Sequence, residues 1–288
     1  MSSPEAPPPE THELEERIAA FPWWYYKFDF DNGVSTPVLE TGSVNRAEQM
    51  RSYVFDALLG VMGGSLRGHR VLDLGCNAGL WSLSAIEAGA DFVLGVDGLQ
   101  MAIEQANFVF DAKGVDPTRY RFEHGDVFEQ AFAEDFDIVL CLDFLDQVSK
   151  PVALFELMSS VGAETIVVET SLSPAPDSSF ELRTLEDPLW TLEEHLVLVP
   201  TREAVIDLAS EFGFKTVPLA HRMSDYDGMS AYTRGRRLGF LCSKHTPLDG
   251  LDVEPVARSM PWWITLALRG WRALRGLRRS GSRSRSAG

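Results

Sequence analysis

A chain of 288 residues with 45% apolar side chains can bury a full core, and one large domain with appendages is expected. Its net charge of −16, from 26 basic and 42 acidic side chains, is unevenly distributed: residues 258–288 hold eight arginines and no acid, which leaves 18 basic against 42 acidic residues elsewhere. So acidic a body repels a phosphate backbone, which argues against nucleic acid as a partner and leaves any polyanion or membrane contact to the tail.

The predicted elements begin after a Pro- and Glu-rich start. This start has no basic region followed by an apolar core, so it is not a secretory signal, and residues 1–20 are expected to be disordered. Phe21 to Pro37 is an aromatic segment containing Trp24, Tyr25 and Tyr26, with a turn signal at Asn32-Gly33. An amphipathic helix is expected over 45–63, through Met50, Val54, Leu58 and Val61. Strands and helices then alternate: strand 71–75, helix 79–88, strand 92–97, helix 99–113, strand 120–124, strand 136–142, helix 151–160 and strand 164–169. Pro174, Pro176 and Pro188 interrupt residues 171–199, which are expected to form a cap insertion over the sheet edge. Helix 201–212 and strands 215–219 and 237–243 complete a domain spanning 21–245. Cys76, Cys141 and Cys242 lie in or beside apolar runs without metal spacing, as reduced core residues of a cytoplasmic protein would.

The chemistry gathers at the strand ends. Val71-Leu-Asp-Leu-Gly-Cys-Asn-Ala-Gly-Leu-Trp-Ser82, followed by Phe92-Val-Leu-Gly-Val-Asp97, has the pattern strand, glycine turn, helix, strand, acid. Gly75 and Gly79 let the backbone approach a ligand, and Asp97 can accept hydrogen bonds from two ribose hydroxyls. Asn77 and Leu80 stand where a dinucleotide fingerprint has its second and third glycines. The spacing suits a nucleoside with an amino-acid tail and no phosphates, S-adenosyl-L-methionine. Its expected contacts are Asp73, Gly75, Cys76, Asn77, Gly79, Asp97, Gly98, Asp126, Val127 and Leu142.

Methyl transfer from such a cofactor is an in-line displacement, and a hydroxyl nucleophile needs a base. Asp143, Asp146, His195 and His221 are the candidates, and the sequence leaves the choice open. Trp24, Tyr26 and His221 are candidates for the acceptor pocket. No His/Asp/Glu cluster has a metal-ligand spacing, so no metal site is expected.

The segment Gly75 to Ser82, with Gly89-Ala90 and Gly95-Val-Asp97, resembles class I S-adenosylmethionine-dependent methyltransferases. Within them it is most similar to the group related to the tRNA wobble-uridine (5-oxyacetate) methyltransferases, through Trp24-Tyr25-Tyr26, Asp29, Asn32-Gly33 and Thr36-Pro37. The resemblance spans about residues 22–243. It implies an α/β fold, a Rossmann-like seven-stranded doubly wound sheet with an antiparallel hairpin at one edge, and transferase activity. Two departures bear on substrate: Leu145-Asp146-Gln147 replaces a Leu-Tyr-His segment, and Tyr26 replaces a histidine. With the acidic body, they favour O-methylation of a small or lipid-linked hydroxylated molecule. RNA base modification and a non-catalytic docking module that keeps the fold are the alternatives.

Past 245, a linker leads to Trp262, Trp263, Ile264, Leu266, Trp271, Leu274 and Leu277 on one side of a helical projection. Arg269, Arg272, Arg275 and Arg279 fall on the other. Such a basic amphipathic helix over 260–279, ahead of a disordered end, points to peripheral contact with an anionic membrane face or to docking on protein.

Overall fold

The computed structural model describes residues 11–39, 41–185 and 195–254. Strands β1 (Arg70–Leu74), β2 (Phe92–Asp97), β3 (Tyr120–His124), β4 (Ile138–Leu142) and β5 (Thr165–Ser171) run parallel. Their continuous apolar runs, such as Ile138 to Leu142, all buried, are what a sheet covered on both faces demands. Between β5 and the sheet's last two strands comes a separate antiparallel pair, β6 (Phe180–Leu185) and β7 (His195–Pro200). Strands β8 (Lys215–Pro218) and β9 (Arg237–Ser243) then close the main sheet in the order β3-β2-β1-β4-β5-β9-β8, with β9 antiparallel to both neighbours. All seven strands of the main sheet coincide with the sequence expectation, and the 171–199 insertion carries the β6–β7 pair.

Alternation along each strand builds two cores. Val71, Val93 and Leu140 face one side, with helices α4 (Leu80–Glu87) and α5 (Gln100–Ala112); Leu72, Val139 and Val168 face the other, with α6 (Pro151–Ser160) and α7 (Arg202–Glu211). The first core also takes in Trp24 and Phe28 of the aromatic segment and α2 (Thr41–Met50) and α3 (Asp56–Val61). These two helices are joined by a π-helical turn, Arg51–Phe55, that buries Tyr53, Val54 and Phe55 in succession. The expected helix over 45–63 therefore begins earlier and carries a wide turn.

One expectation is corrected. Within the region expected to be disordered, Thr11–Ala19 forms helix α1. Its sequence is polar on average, but Leu14 and Ile18, one turn apart, are buried in the first core. Arg17 binds Asp111 at 2.8 Å and lies 4.8 Å over the Phe108 ring. The composition of this segment outweighed its two apolar residues in the reading of the sequence. The expected amphipathic helix at 260–279 lies outside the described residues.

Because β1 is flanked by β2 and β4, the chain departs from it in opposite directions on the two sides. Such a switch point opens a crevice at the carboxyl ends of the strands.

Candidate active site

A cavity of about 930 Å³ occupies that crevice. One half is built by the ends of β1, β2 and β3. Gly75 (φ 71°), Asn77 (φ 48°) and Gly79 (φ 80°) hold left-handed conformations in the turn into α4. The Asn77 strain is offset because its Oδ1 accepts the Ala78 N–H at 2.7 Å. Asp97 pins the turn: its two carboxylate oxygens accept the N–H groups of Asn77 (2.9 Å) and Leu99 (2.8 Å). A carboxylate has about four acceptor sites, so two remain for a ligand diol. Burial raises the Asp97 pKa, while the two backbone amides and His124 oppose the rise. Gly98, Asp126, Val127 and Leu142 complete the lining on this side. The Asp126 carboxylate accepts the Phe128 N–H at 2.9 Å, which sets the loop after β3.

Three of the expected cofactor contacts stand behind the cavity wall. Asp73 is buried and accepts the Ser82 hydroxyl at 2.6 Å; burial, aided by the charge of Asp97, pushes its pKa up to about 7. Gly79 is required by packing, since a Cβ there would lie 3.2–3.3 Å from Ala106, Phe122 and Phe110. The Cys76 thiol is buried, which moves its pKa well up. These residues shape the turn from beneath and do not line it.

The other half is lined by Tyr25, Tyr26, Arg46, Asp143, Asp146 and Gln147. Here the structure assembles a charged cluster from five separate stretches of chain. Arg46, on α2, binds Asp143 at 2.7 Å, lies 3.5 Å from Glu169 and donates to the Tyr25 hydroxyl at 3.0 Å. Arg237, opening β9, clamps Glu169 through Nε (2.8 Å) and Nη2 (2.7 Å) and binds the second Asp143 oxygen. Tyr232 donates to Glu169 at 2.6 Å. Glu169 is fully buried, and this fork-on-fork pairing supplies the partners its charge requires.

The two candidate carboxylates at the end of β4 are thereby separated in character. Burial acts to raise the Asp143 pKa, but Arg237 and Arg46 outweigh it and hold the carboxyl below the usual range. Its backbone is also held at φ 60°, a strained conformation for a non-glycine residue. Asp146 meets Arg237 only at 3.9 Å and accepts the Thr170 hydroxyl at 3.3 Å. Burial dominates there and raises its pKa, despite Arg237.

The remaining candidates fall elsewhere. Trp24 is buried in the first core, its Nε1 donating to the Ile18 carbonyl at 3.1 Å, and it anchors the aromatic segment, a strap that carries Tyr25 and Tyr26. His221 packs among Tyr53, Tyr226 and Tyr232, with Nε2 3.9 Å from Glu254, outside the cavity. The side chain of His195 lies outside the described residues. Reading the sequence missed Tyr25, Arg46, Phe144, Glu169 and Arg237. Glu169 carried a signal, an acid ending an otherwise apolar strand; Arg46 and Arg237 have no local pattern. Among the described residues, no group of three or more His, Cys, Asp or Glu is placed to hold a metal ion, and no helix is long and apolar enough to cross a membrane.

Residues 65–180 match the family model described as "Methyltransferase domain". The chain is 29% identical over 118 residues to the ubiquinone biosynthesis O-methyltransferase of Neisseria meningitidis serogroup C, covering 41% of this chain and 50% of that one. It is 35% identical over 135 residues to the mitochondrial ubiquinone biosynthesis O-methyltransferase of Schizosaccharomyces pombe, 46% of each chain. The chain thus spans about half the length of these curated relatives. Among solved structures, it is similar to the N-terminal domain of EvdMO1 with SAH bound (TM-score 0.61, 21% identity, 81% of this chain and 95% of that one). It is also similar to magnesium protoporphyrin IX methyltransferase from Synechocystis PCC 6803 with bound SAM (TM-score 0.52, 15% identity, 81% and 90%). At such identities the solved structures establish the fold. The narrower resemblance to the tRNA wobble-uridine group draws no support from these relatives.

Proposed function

We propose, from the match of residues 65–180 to a methyltransferase domain, that the chain is an S-adenosyl-L-methionine-dependent O-methyltransferase of a small or lipid-linked hydroxylated molecule. The observation that carries this reading is a single cavity with two chemically distinct halves: a glycine turn pinned by Asp97, and an aromatic and carboxylate wall across from it. The names of the curated relatives agree with a hydroxyl acceptor.

The residues present fit the cofactor. The open acceptor sites of Asp97 suit the ribose hydroxyls, the backbone at Gly75 and Asn77 offers close approach to the amino-acid tail, and Asp126 with the Val127 N–H suits the adenine edge. When bound, the cofactor supplies an electrophilic methyl group: the acceptor oxygen's electron pair forms the new C–O bond, and the C–S pair leaves with sulfur. Asp146 takes the acceptor proton. It lines the cavity, its strongest cationic neighbour is 3.9 Å away, and burial raises its basicity. Asp143 is tied by both oxygens to guanidinium groups, and its role is to fix the end of β4. Tyr25 and Tyr26, with ring centroids 4.8 Å apart, form the wall against which an acceptor ring would lie. His195 is retained as a further candidate at the cap, and His221 is set aside because it does not line the cavity.

The test is transfer of labelled methyl from S-adenosylmethionine to a panel of hydroxylated aromatic and lipid-linked acceptors. Turnover that falls by roughly 10²–10⁴ in Asp146→Asn while cofactor affinity is kept supports the reading; cofactor binding without turnover on any acceptor contradicts it. Peripheral membrane contact through residues 260–279, on the inner face of the membrane, belongs to the same proposal. It predicts that the full chain sediments with anionic vesicles and that Trp262→Ser with Trp263→Ser releases it.

A further inference from the structure

Phe144 follows the pinned Asp143 and lines the cavity. Its side chain packs against the glycine turn: a Cβ built on Gly75 would sit 2.5 Å from Phe144 Cδ2 and 3.0 Å from Cγ. The contact is therefore with the bare backbone of Gly75, and any residue other than glycine would have to push the ring away. Phe144 is also half-buried, outside the two cores' fully buried sets. Among the described residues, no other ring stacks on it and no guanidinium or ammonium group stands over it, whereas seven other aromatic–cation contacts occur on the chain. Phe144 thus lines the cavity beside the glycine turn with no aromatic or cationic partner of its own among the described residues.

The charges nearby say what that ring is for. A sulfonium held between the Gly75 turn and the acceptor wall needs an electrostatic partner. Asp97 is engaged by the turn's amides and by the ribose hydroxyls assigned to it above, Asp143 by Arg46 and Arg237, and Asp146 is assigned to the acceptor proton. A carboxylate in direct contact with the sulfonium would also neutralise it and oppose transfer. An aromatic ring attracts a cation through its quadrupole, more weakly than a carboxylate does, and that attraction vanishes when the cation becomes a neutral thioether. We infer that Phe144 is the residue that recognises the cofactor's positive sulfur, so that the enzyme distinguishes S-adenosylmethionine from its demethylated product. This inference rests on the cofactor reading above. Its consequence is relief of product inhibition: the transfer step itself removes the charge that the ring was holding.

The test is calorimetric titration of the full chain, wild type and variants, with S-adenosylmethionine and with S-adenosylhomocysteine. Phe144→Leu should weaken binding of the charged ligand by about fivefold to thirtyfold, the range from a half-exposed to a desolvated cation–π contact, and change binding of the neutral one by less than about twofold. Phe144→Tyr, which keeps the ring, should preserve the wild-type ratio. Phe144→Met fills similar volume without a π face, and it carries the test if the leucine variant unfolds. Equal losses for both ligands, or an unchanged ratio, would assign Phe144 to packing and overturn the inference alone. Failure of the wild type to bind either ligand would overturn the cofactor reading as well.

Discussion

The two halves of the cavity hold their functional groups in different ways. On the side proposed for the cofactor, the turn from Gly75 to Gly79 is held by Asp97, whose carboxylate accepts backbone amides at the ends of neighbouring parallel strands, and this device comes from residues 70–99 alone. On the acceptor side, Tyr25, Arg46, Asp143, Glu169 and Arg237 come from the strap, α2, β4, β5 and β9, joined by charge-assisted side-chain bonds. The first half is a local device. The second is a tertiary one, and it costs desolvation of four charged groups that must all find partners.

That difference can be broken most forcefully at Arg237. Arg237→Met leaves Glu169 buried with only Tyr232 and a distant Arg46, and it should cost about 3–5 kcal/mol of stability. Thermal unfolding measures this; a loss under about 1 kcal/mol would mean that the cluster is solvated. Asp146→Asn should leave the fold and cofactor affinity intact and lower kcat by roughly 10²–10⁴, the usual contribution of a positioned base. A pH profile sharpens it further. The raised pKa of Asp146 places the acidic limb of kcat/KM above the ordinary carboxylate range, with activity falling as pH drops through it, and the asparagine variant should lack that limb.

A smaller effect separates the turn's scaffold from its ligand contacts. Asp73 binds its proton more tightly folded, at about 7, than unfolded, near 3.8, so the folded state holds the extra proton between these values. Its contribution to stability is full below the unfolded value and declines as pH rises toward about 7. Asp73→Asn should flatten this part of the stability curve, as denaturant titrations between pH 4 and 8 would reveal. The smallest change is expected for Tyr26→Phe, which keeps the ring wall: acceptor KM should shift by no more than about threefold, whereas Tyr26→Ala should raise it about tenfold by removing an aromatic contact. Equal effects of the two would assign Tyr26 to a hydroxyl contact.

The same contrast explains what could be seen in the chain beforehand. Parallel strands buried on both faces leave unbroken apolar runs, and glycines with left-handed backbone mark the turn, so the sheet and the cavity-lining acids at 97 and 126 are legible. The reading went too far where a motif position touches the core instead of the cavity, as at Asp73, Cys76 and Gly79. Helix α1 was missed because two apolar residues on a polar segment make a weak signal until Phe108 and Asp111 supply a surface. Arg46 and Arg237 could not be found at all: an arginine's partner is set by which distant strand end the fold brings to it, and nothing within ten residues of either one records that. Asp143 and Asp146 were named together, but the fold alone gives one to the arginines and leaves the other to the cavity.

The central claim is that the Asp97-pinned turn is a cofactor site. Calorimetry of S-adenosylmethionine with the full chain and with Asp97→Ala tests it most directly. The account predicts saturable one-to-one binding by the wild type and a loss of about 100-fold in the variant, roughly two charged hydrogen bonds. Equal binding by the two well-folded proteins, or none by the wild type, would contradict it.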